Sequence, residues 1–175
     1  MIRTGKWFTE NKIILRFFGV MILFCCQLKV NAQAPPPRPF TVTANPSLGL
    51  RFGAFYVTSS GGTVVIDAYG SRTSTGGVVL ASLGFGYGAA NFEIQANPGT
   101  IISIMNGPDA TLTGSAGGTL TVHLGACSPS SPFITSVTWP SYTSVNIGGT
   151  LTVGSSSANP TGTYSGSINV TFVRE

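Results

Sequence analysis

Four times along this chain a glycine doublet is followed at once by a β-branched run. Gly61-Gly62 precedes TVVIDAY, Gly76-Gly77 precedes VVLA, Gly117-Gly118 precedes TLTVHL, and Gly148-Gly149 precedes TLTV. Glycine supplies the positive φ of tight hairpin turns, and Val, Ile and Thr fit a pleated surface. The pattern predicts a hairpin turn at each doublet and a short strand after it. The hexapeptide GGTLTV occurs at both 117 and 148. No longer similarity surrounds the two copies, so convergent turn-and-strand chemistry explains them better than duplication.

The same period of two runs through residues 163–173, TYSGSINVTFV. Tyr164, Ile168, Val170 and Phe172 fall on one face with Gly166 in register, and Thr163, Ser165, Ser167, Asn169 and Thr171 on the other. This predicts one long terminal strand, half buried, that closes the domain. Residues 40–44 place Phe40, Val42 and Ala44 inward, and residues 48–52 place Leu48, Leu50 and Phe52 inward with Arg51 outward, running on toward Tyr56 and Val57. Further strands are expected at 91–96 (Phe92 and Ile94 on one face), 100–105, 111–113 and 133–139. Prolines 98, 108, 129, 132 and 140 punctuate them. No capping signal precedes a 3.6-residue period after residue 32. Short strands with frequent turn signals predict an all-β, immunoglobulin-like antiparallel β-sandwich, with a closed β-barrel as the alternative.

The first 32 residues read as a cleaved signal peptide. Arg3, Lys6, Lys12 and Arg16 form a basic front, residues 17–26 (FFGVMILFCC) are apolar, and Val30-Asn31-Ala32 offers small residues for cleavage. Ten residues at 1.5 Å each span roughly half of a ~30 Å hydrocarbon core, which disfavours an anchor. A lipid attachment at Cys25 or Cys26 is disfavoured by the bulky Phe24. Residues 33–39 (QAPPPRP) form a proline-rich, extended lead-in, and 40–175 a single domain. The expected location is therefore the periplasm, the cell surface or the extracellular space.

Processing would change the charge balance. The formal charge of +4 lies in the leader, whose Arg3, Lys6, Lys12, Arg16 and Lys29 are set against Glu10. The mature chain keeps Arg38, Arg51, Arg72 and Arg174 against Asp67, Glu93, Asp109 and Glu175, which balances to zero without a single lysine. Nucleic-acid and anionic-membrane partners need clustered positive charge, so neither is expected, and no membrane span is expected in the mature chain. Cys127 is left as the one thiol, so stability must come from the core rather than from a disulfide.

Catalytic and metal sites need converging ionisable groups, and here they are scattered singly. His123 shares the polar face of a strand opposite Leu120, Val122 and Leu124 and is expected to face solvent. Zinc lacks ligands in number, and Asp67, Glu93 and Asp109 lie in no calcium-loop pattern. Cys127 has no neighbouring base. No catalytic residue, cofactor or metal is expected. Asn169-Val170-Thr171 fits a glycosylation acceptor, but polar-face alternation explains it more simply.

The order of motifs resembles a known family. Leu50-Arg51-Phe52-Gly53, Gly62-Thr63-Val64, Gly70 and Arg72 with Gly76-Gly77-Val78, Ala90-Asn91-Phe92-Glu93-Ile94, Ile147-Gly148-Gly149-Thr150-Leu151 and Gly162-Thr163-Tyr164-Ser165-Gly166 occur in this sequence. They resemble the domain-of-unknown-function 4402 family of secreted bacterial proteins over residues 40–173. The resemblance implies export, an immunoglobulin-like fold and a place among pilus or surface-adhesion components, and it carries over no active-site residue. A broader similarity is to pilin subunits assembled by chaperone and usher proteins. Gly162 is fourteenth from the C-terminus, as in that group, whereas the penultimate residue is Arg174 rather than an aromatic.

The expectation is thus an exported, non-enzymatic structural or adhesion subunit that self-assembles or joins other surface subunits by strand addition, with a periplasmic chaperone as a further partner. Phe40, Val42, Tyr164, Ile168, Val170 and Phe172 are the candidate assembly positions, although residues 40–44 also read as the domain's own first strand. The alternative is a glycan-binding module using Phe85 and Tyr87, in the loop GFGYG, with Trp139 and Tyr142.

Overall fold

The computed structural model describes residues 39–175, which fall within one compact unit, Pro37–Glu175. The expected signal peptide and residues 33–38 of the lead-in lie outside the described residues. The chain forms β1 (Thr41–Ala44), a 3-10 turn (Pro46–Leu48), β2 (Arg51–Phe52), β3 (Ala54–Ile66), β4 (Arg72–Ala81), β5 (Tyr87–Gly88) and β6 (Ala90–Gln95). It continues through β7 (Ile101–Asn106), β8 (Ala110–Gly114), β9 (Thr119–Ser128), β10 (Phe133–Ile134), β11 (Thr143–Val153), β12 (Tyr164–Ser165) and β13 (Val170–Arg174). The ladders are antiparallel and there is no α-helix among the described residues.

β11 is the spine. Its first half pairs with β6, its second half pairs with β3, and β9 runs along the opposite flank. The change of partner falls at Gly148-Gly149, where the β9 register also shifts. A side chain at Gly148 would overlap the Ile66 carbonyl, so glycine lets the two strands meet there. The resulting eight-stranded sheet curls on itself, and β10-β7-β13 form a second sheet across from it. The architecture is an antiparallel β-sandwich with a half-barrel curl. Inside the curl, Val64, Ile66, Val78, Leu120, Val122, Leu151 and Val153 form one core. Between the two sheets, Ile94, Ile102, Leu124, Val145 and Ile147 form the other, with Cys127 packed against it.

The glycine doublets do not play the part the sequence suggested. Only Gly117-Gly118 lies at a hairpin turn, with φ of +91° and +75°. Gly61-Gly62 lies within β3, and Gly76-Gly77 within β4, where Gly62 stands opposite Gly76. Residues 58–61 bulge between the pairs Val57–Val78 and Gly62–Gly76, with Gly61 and Gly76 at φ of +64° and +66°. A bulge of this kind bends its strand sharply. The turn of this hairpin is built instead by Asp67, whose Oδ1 accepts from the backbone N–H groups of Tyr69 (2.9 Å) and Ser71 (2.8 Å).

Arg72 shows how strong the bend is. A straight β4 would hold its ends roughly 30 Å apart. Yet Arg72, at the start of β4, donates from Nη2 to the carbonyl of Ala81 at its end (3.3 Å). Its Nη1 donates to the carbonyls of Phe52 (3.1 Å) and Ala54 (3.3 Å), and its guanidinium lies 4.2 Å from the centre of the Tyr87 ring. The β3–β4 ribbon is therefore folded over at its glycines and latched at both ends. One half contributes Val64 and Ile66 to the first core, and the other contributes Phe55, Val57, Val78 and Leu80. The two GGTLTV copies lie beside each other: Leu151 stands opposite Val122, and Thr152 opposite Thr121.

The terminal stretch is not one strand. Tyr164 and Ser165 pair with β8 in the curled sheet, whereas Val170–Arg174 pairs with β7 in the other sheet. Residues 166–169 cross between them. The face assignment holds, since Tyr164, Ile168, Val170 and Phe172 are all half-buried against one core or the other. Continuity fails because an inward face can be kept while the chain changes sheet. Residues 48–52 likewise yield only the 3-10 turn and the two-residue β2, and 133–139 only β10. β1 also departs from expectation: all four of its residues are exposed, including Val42 and Ala44, because it is an edge strand paired to β6 alone. Phe40, just before it, is half-buried against the second core.

Substitutions at the bend and its latch, followed by urea denaturation, test this architecture. Gly62→Ala pushes a methyl into the Thr75 carbonyl and is expected to cost about 1–3 kcal/mol. Gly49→Ala, where the space is open, should stay within about 0.5 kcal/mol. Arg72→Ala strands three part-buried carbonyls and is expected to cost about 2–3 kcal/mol. Arg72→Lys should recover only part of this, because an ammonium lacks the planar fork that spans them. Equal stability of the Ala and wild-type proteins would remove the latch.

Candidate functional site

Beside the 3-10 turn the surface opens into a groove of roughly 370 Å³. Leu48, Leu50, Phe52, Phe92, Leu112, Val122 and Ile168 make it predominantly apolar, and Asn45, Asn91 and Ser167 contribute polar groups. The groove exists because the chain leaves its ladders on two sides. Gly49 is extended (φ −68°, ψ +165°) between the 3-10 turn and β2. Ser167 and Ile168 lie in the crossing between β12 and β13, outside every ladder. Ile168 is the one candidate assembly residue that lines this groove. Tyr164 packs in the first core and Val170 and Phe172 in the second, where Phe172 contacts Phe92 with ring centres 5.2 Å apart. Val42 lies at the β6 edge opposite Ile94, and Phe40, just before β1, packs against the second core.

The ionisable groups do not converge on one place. Asp67 holds the β3–β4 turn, and Glu93 stands on β6 between Thr43 and Ser144. His123 faces solvent as expected, and its Nδ1 meets Asp109 Oδ1 at 2.7 Å with both side chains more than half exposed. Among the described residues, no three His, Cys, Asp or Glu side chains gather as a metal site would require. No helix among them is long and apolar enough to cross a membrane.

The four candidate ligand aromatics are not brought together. Phe85 (69% exposed) and Tyr87 precede β6, and Tyr87 is paired with Phe52 and has one face under Arg72. Trp139 and Tyr142 lie beyond the other end of β6, where Gln95 Nε2 donates to the Pro140 carbonyl (3.4 Å). The length of β6 separates the pairs by about 17 Å. A further surface lies on the outer face of the curled sheet. There Thr75, Thr63, Thr152, Thr121 and Thr111 stand in register on five adjacent strands, with Thr63 and Thr75 hydroxyls 2.7 Å apart. Alternating threonines in TLTV hint at it, but only strand pairing reveals the row. The groove has no such signal, because its walls come from well-separated parts of the chain.

The separation of the aromatic pairs has a spectroscopic consequence. In a Trp7→Phe chain carrying Phe85→Ala and Tyr87→Ala, the emission maximum of Trp139 is expected to stay unchanged. A shift would show that the two pairs share one surface.

Among known proteins, no curated protein and no solved structure matches this chain. A family model described as "Domain of unknown function (DUF4402)" matches residues 40–173, which is nearly all of the described domain, and the chain belongs to that family.

Proposed function

We propose that the protein is an exported, non-enzymatic structural or adhesion subunit of the bacterial surface, pilin-like in associating with further subunits by strand addition. The observation that carries this reading is the groove, with its apolar lining and its flanking backbone outside the ladders. β-Augmentation joins an extended segment to an exposed sheet edge, with main-chain hydrogen bonds for affinity and pockets for alternate side chains for specificity, and the groove offers apolar pockets of that kind. The reading is also supported by the sequence after residue 32, whose charges balance, and by ionisable groups that are spent on turns or left in solvent. A periplasmic chaperone fits the same reading, since an unfilled groove needs cover before assembly.

Surface labelling and non-denaturing electrophoresis of a bacterial host expressing the full chain test it. The expected result is surface-exposed protein in multimers that shrink when Leu48, an exposed residue of the groove wall outside both cores, is replaced by Asp. Protein that is only intracellular, or only monomeric, would overturn the proposal.

A second reading, a secreted glycan-binding module, rests on the exposure of Phe85 in its glycine loop. With Tyr87 stacked under Arg72 and the other pair at the far end of β6, it reduces to short, separate contacts. Binding on a glycan array that is lost in Phe85→Ala would favour it over assembly.

A further inference from the structure

β1 is held by little. Its residues Thr41–Ala44 are exposed throughout and form a ladder to β6 alone. The strand beneath differs. In β6, Ile94 is fully buried and Phe92 packs against Phe172. An uncovered β6 would present a row of unpaired N–H and C=O groups beside a hydrophobic core, so this edge needs a strand, whereas β1 is kept in place by its ladder, by the Asn45 N–H donating to the Asn91 carbonyl (3.0 Å) and by Phe40, half-buried against the second core, contacts that a strand from another copy makes equally well.

The connection to the rest of the chain can open. After Asn45 the 3-10 turn rests on two local hydrogen bonds, from the Leu48 N–H to the Asn45 carbonyl (3.0 Å) and from the Ser47 N–H to Asn45 Oδ1 (3.1 Å). Leu48 is already 42% exposed, and Gly49 has open space around the position a side chain would take. Straightening this segment takes Pro46 and Leu48 out of the groove wall but removes no residue from either core.

We infer that β1 is an exchangeable strand, and that residues 40–44 of one copy occupy the β6 edge of a second copy in the register seen within one chain. In that register Thr41 stands opposite Gln95, Val42 opposite Ile94, Thr43 opposite Glu93 and Ala44 opposite Phe92. The inference rests on the proposal of assembly by strand addition and names the strand, the edge and the partner. A second copy is the fitting occupant because the interface already exists within the chain, and exchange reproduces each of its contacts. The balance is then governed by the Pro46–Gly49 hinge and by concentration, as in domain swapping. Each copy donates one strand and accepts one, so exchange closes as a reciprocal dimer or continues as a chain.

Paired cysteines test this in the full chain carrying Cys25→Ala, Cys26→Ala and Cys127→Ala. Directly opposed strand residues have Cα atoms about 4.5–5.5 Å apart, a spacing a disulfide can bridge. Differently tagged Thr43→Cys and Glu93→Cys chains are co-expressed and resolved on a non-reducing gel. The expected result is a covalent heterodimer with both variants together, absent when either is expressed alone. The double variant Thr43→Cys, Glu93→Cys should give disulfide-linked multimers that reduction dissolves. No heterodimer, together with a double variant closed only within single chains, would overturn the exchange. If multimers persisted under those conditions, assembly through another surface would stand. If every form were monomeric, the assembly proposal would fall as well.

Discussion

Everything in the curled sheet depends on the sharp bend of the β3–β4 ribbon. A two-stranded ribbon ten or more residues long is stiff along its axis, and it can double over only where backbone meets backbone without side chains between. Gly61, Gly62, Gly76 and Gly77 supply that place. Bending alone would leave the free ends to spring apart. Arg72 ties them by placing one guanidinium against three carbonyls from different segments and over the face of Tyr87. The charge has carbonyl dipoles and an aromatic face as its partners here, an arrangement that suits the planar, weakly hydrated guanidinium better than an ammonium. Once doubled over, the ribbon surrounds the first core.

β11 plays the complementary part. It serves two neighbours on one flank, β6 and then β3, and so joins the sandwich region to the curl. Gly148-Gly149 lets it pass from one to the other, and the identical GGTLTV segments of β9 and β11 then lie side by side, with their leucines and valines facing inward and their threonines outward. The terminal stretch must serve both regions as well. It stitches Tyr164-Ser165 into one sheet and Val170–Arg174 into the other, and the crossing between them becomes one wall of the groove. The groove is thus a by-product of the same division that gives the domain two cores.

The surface chemistry derives from composition more than from topology. With few charged side chains, a threonine row and separated aromatics, the described residues offer a largely hydroxylated outside and an apolar groove. What the fold adds is placement. Phe85 and Tyr87 lie at one end of β6, Trp139 and Tyr142 at the other, and β1 along its edge. β6 is therefore the element around which the candidate interaction surfaces are arranged.

The sequence by itself determined the class of fold, the inward faces of most strands, the solvent-facing position of His123 and the family. Those properties are local, because alternation with a period of two assigns a face whatever the strand is paired with. The meaning of the glycine doublets, the split of residues 163–173, the exposure of β1 and the groove were decided only in the tertiary structure. A glycine pair permits a turn, a bulge or a close approach equally well, and the choice belongs to what lies across from it: the Gly114–Gly118 turn in one case, the facing ribbon in another, the Ile66 carbonyl in a third. Likewise, an alternating stretch records which side faces a core but not which of two cores, and Arg72 reads as an ordinary polar residue until the bend brings its carbonyl partners together.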